Sequence, residues 1–405
     1  MKDKKQFLTG IAAGFVITMV LVEAVMFGQN VLADMESESR KENGQLDLTG
    51  SGVEAKLEEI QALMETYYLE EIDTEQVEDY LYKGAVAGLG DIYAAYYTEE
   101  EYQSLIDSTN GSYYGIGVEI SQNMSTGIIT ISRIFEGSPA EEAGLLPGDV
   151  LYKIAGQEVT GEDLNKVVSL IKGEEYTTVS VEVARDGQSG YLEFEVERRT
   201  IEVPTVESEM LEDNIGYIAI TSFDDVTTEQ FMTALDTLES QGMEALIVDL
   251  RNNGGGLVSS VCAILDRLLP EGLIVYTEDK YGNREEEFSD AENYFDKPMA
   301  VLVNGNSASA SEIFAGAIKD YGIGTLVGTT TYGKGIVQKI YPLSDGTAVK
   351  LTVSKYYTPN GNNIHGTGIE PDVTVELDED LMYEVEVPKE EDNQLQAAIE
   401  ALQGN

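Results

Sequence analysis

Residues 299–321 read MAVLVNGNSASASEIFAGAIKDY, an apolar run followed by a loop of small residues and a helical pattern. The run Met299 to Val303 is short and wholly apolar, as in a strand that is buried on both faces. From Ser309 to Tyr321, apolar residues recur at three- and four-residue steps, which predicts a helix. A strand, a loop and a helix in this order indicate α/β architecture, whose sites lie in the loops that follow the strands.

The same unit occurs twice upstream. The predicted strand–helix pairs are Gly216 to Ile220 with Thr228 to Leu238, and Ala245 to Leu250 with Val258 to Leu269. Together the three units predict an α/β sandwich-like domain with a mixed sheet over residues 201–378. Residues 379–405 form a tail that ends in a predicted helix, Asn393 to Leu402.

The N-terminus has the pattern of an export signal. Three lysines, at positions 2, 4 and 5, precede an uncharged apolar run over residues 7–22. At about 1.5 Å per residue this run spans roughly 24 Å, short of a hydrocarbon core of about 30 Å, so a signal peptide and a membrane anchor both stay open. Either one over residues 1–33 places the rest of the chain outside the cytoplasm. Residues 34–52 are polar and predict a linker.

Two segments separate this linker from the α/β domain. Residues 53–110 carry helical spacing and no recognisable chemistry. Residues 111–200 predict a compact α+β domain of about five short strands, including Gly127 to Ile134, and two helices. One helix starts at Ser138-Pro139 and ends at Gly144, and the other begins near Thr160.

Composition excludes several classes of protein. The chain has 405 residues and a net charge of −49, from 74 Asp and Glu against 25 Lys and Arg, which excludes a nucleic-acid binder because such proteins need a basic face. With one cysteine, Cys262, and one histidine, His365, neither an internal disulfide nor a Cys/His zinc site can form. We expect no metal and no cofactor. If the chain is a hydrolase, its base is expected to be something other than histidine.

Two stretches lack carboxylates against this acidic background. About four Asp or Glu are expected in 24 residues, yet residues 321–344, which contain Lys334, have none. Residues 297–311, which contain Ser309, have none either. A lysine acts as a base near neutrality only if burial away from carboxylates lowers its pKa, at a cost of roughly 4 kcal/mol. Both stretches are therefore candidates for a serine–lysine site.

Structural explanations stay open for each part. Ser309-x-x-Glu312 before an apolar helix is typical of a capping box, and Lys334 between two glycines is typical of a solvated loop. The string from Asp249 to Gly256, DLRNNGGG, fits an ordinary turn after a strand, and it lacks the ending of a phosphate-binding loop. Only the combination of a serine, a glycine turn and an isolated lysine favours a function.

A glycine loop opens the α+β segment. Tyr114-Gly115-Ile116-Gly117-Val118 precedes a strand, and its backbone N–H groups can bind a peptide carboxylate. With the stretch EGSPAEEAGLLPGDVLYKIAGQEV at residues 136–159, this segment resembles a PDZ domain. The resemblance implies that an extended chain end binds between the strand after the glycine loop and the helix of residues 160–172.

Four strings together resemble the C-terminal processing (tail-specific) serine peptidases. They are residues 244–256, NGNSASASEIFAGAIKDYG, YGKGIVQ and Gly366 to Asp372, and the likeness runs from about residue 56 to 375. The resemblance implies that Ser309 is the nucleophile, Lys334 its general base, and Gln338 the residue that orients the lysine. It also implies that the N–H groups of Gly255 and Ala310 form the oxyanion hole.

The chain departs from that family in the loop PNGNNIHG, residues 359–366, where asparagine replaces the usual arginine or similar residue. The resemblance therefore carries no charged contact over to this loop. For His365 a structural or substrate-edge role is favoured over a catalytic one. Cys262 lies on the apolar face of a helix and is predicted to be a core residue.

The predicted function is that of an exported serine endopeptidase. It recognises polypeptide substrates by their free C-terminal tails and cuts through an acyl-enzyme. The alternative is a non-catalytic scaffold at the membrane that binds peptide ends. Membrane association through the N-terminal segment is open, and a homodimer through the helical ends is implied by the resemblance alone.

Overall fold

The computed structural model describes residues 46–290, 292, 294–381 and 387–403. The predicted signal peptide or anchor and most of the predicted linker lie outside these residues. Within the described part of the chain, no helix has both the length and the apolar character needed to cross a membrane. The described residues divide into two compact units at the boundary between Tyr82 and Lys83.

The helices and strands follow the chain order used below. The helices are α1 Ser51–Tyr67, α2 Thr74–Ala87, α3 Glu99–Asn110, α4 Pro139–Ala143, α5 Leu164–Ile171, α6 Thr227–Ser240, α7 Val258–Leu268, α8 Ala310–Tyr321 and α9 Asn393–Gln403. The strands are β1 Ala95–Tyr97, β2 Ser112–Gly115, β3 Val118–Gln122, β4 Ile129–Ile134, β5 Val150–Ile154, β6 Gln157–Glu158, β7 Thr178–Ala184, β8 Leu192–Glu197, β9 Arg199–Glu202, β10 Val206–Met210, β11 Ile215–Ile220, β12 Ala245–Asp249, β13 Gly272–Asp279, β14 Arg284–Ser289, β15 Met299–Val303, β16 Thr325–Gly328, β17 Ile336–Pro342, β18 Ala348–Tyr357 and β19 Val373–Thr374.

A six-stranded mixed sheet forms the centre of the α/β region. Its strand order is β10-β11-β12-β15-β16-β19, and β10 is antiparallel to β11 whereas the remaining neighbours are parallel. Strands β12 and β15 are buried at every position. The three strand–helix units predicted from the sequence are confirmed, and each helix limit lies within two residues of the predicted one.

Helices cover both faces of this sheet. Alternate strand residues such as Leu246, Val248 and Val301 pack against α6, α7 and α8 in one apolar core. The intervening residues, such as Ile247 and Leu302, pack against α9 in a second core. The predicted tail helix is therefore confirmed, and its apolar face covers one side of the sheet.

A second, antiparallel sheet adds strands that the sequence did not predict. Its order is β1-β18-β13-β14, and β17 also pairs with β18. Strand β1 pairs with β18 through Ala95 to Tyr97 against Ala348 to Lys350. The segment predicted to be helical over residues 53–110 contains this strand between α2 and α3, and Tyr96 is 7% exposed. The strand is only three residues long and is set by its partner, so helical periodicity could not reveal it.

The α+β segment has its own core and sheet. Its order is β3-β4-β5-β7-β8, with β3 at an edge and β6 beside β5. The strand predicted from Gly127 to Ile134 corresponds to β4, which starts at Ile129 rather than residue 127. Helix α4 starts after Ser138, whose side chain caps it, but α5 starts after Asp163 rather than near residue 160 because the Asp163 carboxylate caps it. The domain limits stay predictions.

Candidate active site

Three loops meet at the carboxyl ends of the adjacent parallel strands β12, β15 and β16. They lead to α7, to α8 and to β17. A cavity of about 490 Å³ beside them is lined by Ser309, Lys334, Gln338 and Gly255 among others. These four residues, which lie up to 83 positions apart in the chain, thus share one concave surface, at the edge where α/β proteins place their sites.

Ser309 is the residue immediately before α8 and has an uncommon backbone conformation. Its φ is 55° and its ψ is −112°, outside the regions that non-glycine residues ordinarily occupy. Such a conformation costs of order 1–3 kcal/mol and persists only where surrounding contacts hold it. The Ser309 carbonyl oxygen accepts a hydrogen bond from the Tyr356 hydroxyl at 3.1 Å, and its N–H donates to a Glu312 carboxylate oxygen at 3.0 Å.

Glu312 connects the serine loop to the lysine loop. One carboxylate oxygen accepts hydrogen bonds from the Thr331 hydroxyl at 2.6 Å and the Gly333 N–H at 2.7 Å. The other accepts from the N–H groups of Ser309 and Lys334, at 3.0 and 2.8 Å. Glu312 is 0% exposed, and all four donors are neutral. The reciprocal half of the predicted capping box is therefore present, and the same carboxylate also binds the lysine loop.

The glycine loop lies directly against the serine. Gly255 has a φ of 104°, and a β-carbon placed on it would lie 2.7 Å from the Ser309 Cβ and 2.9 Å from the Ala310 nitrogen. Only glycine allows this approach without displacement. The buried Asn253 holds the loop, because its carbonyl oxygen accepts from the Ala308 N–H at 3.0 Å and from the Ser311 hydroxyl at 2.9 Å.

The two predicted oxyanion donors are neighbours in space. Ala310 is the first residue of α8 and is fully buried. The Gly255 N–H donates at 2.8 Å to the side-chain oxygen of Asn253, so in this conformation the predicted donor already has a partner within its own loop. The oxyanion-hole role of both residues stays a prediction.

Lys334 is half-buried at the cavity. Burial lowers the pKa of its ammonium group, and the positive charge of Lys350 lowers it further, whereas the Glu312 carboxylate acts in the opposite direction. The Nζ atom lies over the ring of Tyr93, 4.8 Å from the ring centroid. The net direction is the one that a lysine base requires.

Gln338 lies on β17 and lines the same cavity. Its Nε2 donates to the Thr352 hydroxyl oxygen at 3.4 Å. The register of the pairing with β18 shifts beside Gln338, between it and Val337. The orienting role predicted for Gln338 stays a prediction.

Three side chains that contact Ser309 or Lys334 were not predicted from the sequence to act there. They are Glu312 as a link between two loops, Tyr356 as a donor to Ser309, and Tyr93 as the ring beside the lysine. The S-x-x-E spacing pointed to Glu312 as a helix cap, but its contacts with the lysine loop depend on tertiary structure. No local pattern distinguishes Tyr93, because it lies in the segment where only helical periodicity was recognised.

The single cysteine is buried in the core, and the single histidine is exposed. Cys262 lies in the core beside α6 and α8, and burial raises the pKa of its thiol to about 12, so the predicted core role is confirmed. His365 is exposed, and its backbone N–H donates to the side-chain oxygen of Asn363 at 3.3 Å. Its contribution to substrate binding stays a prediction.

The predicted peptide-binding loop lies beside the edge strand β3. Tyr114 and Gly115 belong to β2, whereas Ile116 is 1% exposed and belongs to the core. The carbonyl oxygens of Ile116 and Gly117 accept from the N–H groups of Ala140 and Phe135, at 2.9 and 3.0 Å. Because N–H and C=O point in opposite directions across a trans peptide, the N–H groups of Gly117 and Val118 point away from these contacts.

Helix α5 runs beside this edge strand. At one end the Gln122 side chain donates to the Glu162 carbonyl oxygen at 2.7 Å, and at the other the Gly173 N–H donates to the Tyr114 carbonyl oxygen at 3.4 Å. The strand and the helix thus border a groove. Binding of a peptide in it stays a prediction.

Comparison with known proteins agrees with the resemblances. Residues 214–375 match the model of peptidase family S41, and residues 130–185 match that of a PDZ domain. The chain is 38% identical over 330 residues to the carboxy-terminal processing protease CtpA of Bacillus subtilis, covering 81% of this chain and 70% of the relative. It is 38% identical over 309 residues to the carboxyl-terminal-processing protease of Synechocystis, covering 75% and 72%.

A solved structure agrees at the level of the fold. The chain resembles an S41 protease of Bacteroides fragilis with a TM-score of 0.53 at 19% identity, covering 84% of this chain and 93% of that one. The chain therefore belongs to peptidase family S41, among its carboxy-terminal processing serine peptidases, and carries a PDZ domain.

Proposed function

We propose that this peptidase cuts polypeptides by a Ser309–Lys334 acyl-enzyme mechanism outside the cytoplasm, and that its PDZ domain selects substrates by their free C-terminal tails. The observation that carries the mechanism is the buried carboxylate of Glu312. It binds the main chains of both residues, at 3.0 and 2.8 Å, beside one cavity. A single group thereby fixes the spacing of nucleophile and base.

The reaction proceeds in two halves. Neutral Lys334 takes the proton of the Ser309 hydroxyl while the Ser309 oxygen bonds to the substrate carbonyl carbon. The N–H groups of Gly255 and Ala310 bind the oxyanion, for which the Gly255 N–H leaves Asn253. The Lys334 ammonium then gives its proton to the leaving amine as the C–N bond breaks. Water hydrolyses the acyl-enzyme by the same route in reverse.

Two alanine variants test the pair. A substrate protein with a free apolar tail is incubated with wild type, Ser309→Ala and Lys334→Ala, and the products are identified by mass spectrometry. We expect turnover by wild type alone. Full activity in either variant would sink the assignment, and binding without turnover by wild type would favour the scaffold alternative.

The groove beside β3 supports the proposal for tail recognition. The N–H groups of Gly117 and Val118 point away from the domain's internal contacts, where a terminal carboxylate can accept from them. Strand β3 has a partner on one side, β4, and lies at the edge of its sheet. An extended tail can therefore pair with it as an added strand.

A chemical change in the substrate tests this recognition. Amidating the C-terminus of a peptide substrate removes the carboxylate charge and leaves the sequence intact. We expect KM to rise about 10-fold or more with a smaller change in kcat, because a charge-assisted hydrogen bond is lost in binding. Equal KM values for acid and amide would rule out carboxylate recognition.

Export and self-association complete the proposal. The basic start and apolar run of residues 1–33 support a location outside the cytoplasm.

Helix α1 has no buried residue and carries Leu57, Ile60 and Leu63 at helical spacing with exposures of 37 to 54%, which supports self-association through this face. Sedimentation velocity of wild type and Leu63→Glu distinguishes a dimer from a monomer. A monomer at every concentration of the wild type would contradict the self-association.

A further inference from the structure

Tyr93 contacts the proposed base from a part of the chain that lies outside the matched peptidase region. The family match covers residues 214–375, and the segment that holds Tyr93 comes before the PDZ domain. The Lys334 Nζ lies over the Tyr93 ring at 4.8 Å from the centroid, within the distance at which a ring face attracts a cation.

The surroundings of Tyr93 hold its ring in place. Its N–H donates to the Asp91 carboxylate at 2.9 Å. Asp91 is also hydrogen-bonded to Thr352 on β18, and these bonds lower the pKa of the Asp91 carboxyl. Two residues further on, β1 pairs with β18, so the segment is anchored on both sides of the ring. A hydrogen bond with the Tyr332 side chain is the main cause that raises the pKa of the Tyr93 hydroxyl.

The proposed mechanism creates a positive charge at this position. When Lys334 takes the Ser309 proton, an O–H bond breaks and an N–H bond forms, and the uncharged amine becomes an ammonium ion. The charged groups that act on Lys334 are Lys350, which disfavours the ammonium, and Glu312, which favours it. The Glu312 oxygens are occupied by four neutral donors, and Glu312 binds the main chain of Lys334 rather than Nζ. The ring face of Tyr93 is therefore a direct partner for the developing charge.

We propose that Tyr93 is a further catalytic residue whose ring face stabilises the ammonium group that forms on Lys334 as the lysine takes the proton of Ser309. This inference rests on the proposed serine–lysine mechanism. Stabilisation of charge that appears only in the transition state raises kcat rather than lowering KM. The Tyr93 side chain also shields Lys334 from water. Substitutions can distinguish this shielding from the attraction between the aromatic face and the ammonium group.

Substitutions at position 93 separate the ring from the cover. Tyr93→Leu keeps an apolar cover and removes the π face, and Tyr93→Phe keeps the face and removes the hydroxyl. We expect kcat of Tyr93→Leu to fall about 3- to 30-fold with KM changed less than about 2-fold. The acid limb of the pH–rate profile of Tyr93→Leu should move to lower pH, because the Lys334 ammonium loses a stabilising contact. Tyr93→Phe should recover most of the activity that Tyr93→Leu loses, and the control Tyr281→Phe, at an exposed tyrosine, should stay within about 2-fold of wild type.

A graded series keeps the test valid if Tyr93→Leu folds poorly. Phenylalanine carrying one, two or three ring fluorines at position 93 retains the shape of the ring and progressively removes the negative potential of its face. We expect log kcat to fall steadily with fluorination. Identical kcat values across the series, or a fall in Tyr93→Leu without a shift of the acid limb, would overturn the inference. Lys334→Ala serves as reference, because activity in that variant contradicts the proposed mechanism itself.

Discussion

Buried carboxylates lie on opposite faces of the same sheet, and the groups that stabilise their negative charge differ between the two faces. On the α8 face, Glu312 is bound by neutral donors, two of them the N–H groups of Ser309 and Lys334. On the α9 face, Asp249 and Asp392 are bound by the guanidinium of Arg251, with N–O distances of 2.6 and 2.8 Å.

The difference explains where each arrangement is useful. An arginine beside Glu312 would neutralise the carboxylate, but it would also add a charge next to the reaction. Neutral donors fix the two loops without adding a charge to the cavity, whose own charged side chains are Lys334, Lys350 and Asp224. Arg251 instead connects β12 to the start of α9, where a permanent charge pair fastens the tail helix to the sheet. Glu312 thus holds the two residues that we propose to react, whereas Arg251 holds the tail helix against the sheet.

Breaking the arginine cluster is expected to have the largest effect. Arg251→Leu leaves two buried carboxylates without their partner, which should lower the free energy of unfolding by ~3–5 kcal/mol. Urea denaturation measures this. The control Lys319→Leu breaks the half-exposed pair with Asp372 and should cost about 1 kcal/mol or less. Equal losses in the two variants would contradict the structural role of Arg251.

Changing Glu312 is expected to affect the reaction more than the fold. Glu312→Gln keeps the shape but turns an amide group toward two of the four donors, so about two charge-assisted hydrogen bonds are lost, and kcat/KM should fall ~100- to 1,000-fold. The acid limb of the pH profile should move to lower pH, since the Glu312 charge raises the Lys334 pKa. The control Glu229→Gln, on an exposed first turn of α6, should change neither. A lower rate with an unmoved limb would mean that Glu312 acts only on the fold.

A smaller loss is expected at Tyr356. Tyr356→Phe removes one hydrogen bond to the Ser309 carbonyl oxygen and leaves the buried ring in place. We expect kcat to fall about 5-fold, which corresponds to ~1 kcal/mol for one neutral hydrogen bond. Steady-state kinetics measure this change, and Tyr357→Phe, which removes the hydroxyl of the neighbouring residue, is the matched control. A kcat equal to that of wild type would show that Ser309 keeps its backbone conformation without this bond.

The smallest effect is expected from Lys350. Its positive charge lowers the pKa of Lys334, so Lys350→Gln should raise that pKa and move the acid limb of the rate to higher pH. The rate on the alkaline plateau should change little. Lys339→Gln, an exposed lysine on β17, is the matched control. A limb that moves to lower pH would contradict the assignment of Lys334 as the titrating group.

The sequence predicted most of the α/β region because its signals are local. Strands β12 and β15 are uninterrupted apolar runs, and α8 follows a serine with Glu three residues on, so pattern and turn chemistry agree. The carboxylate-free stretches led to Ser309 and Lys334, which the fold places around one cavity.

The contacts of Tyr93 and Glu312 could not be predicted in the same way. Tyr93 reaches the lysine because β1 pairs with β18, a pairing between segments about 250 residues apart. Glu312 contacts residues 331 to 334 across the end of the sheet. Neither contact has a period or spacing in the sequence, because both are fixed by which strands become neighbours.

Covalent labelling measures directly whether Lys334 activates Ser309. The purified chain is treated with an alkyl fluorophosphonate across a range of pH, and the labelled peptide and its rate of formation are determined by mass spectrometry. We predict one adduct, on Ser309, whose rate rises with pH through a pKa below 10.5, because burial lowers the pKa of Lys334. In Lys334→Ala that adduct should be lost. Labelling of Ser309 at the wild-type rate in Lys334→Ala, or a limb at the pKa of free lysine, would contradict the account.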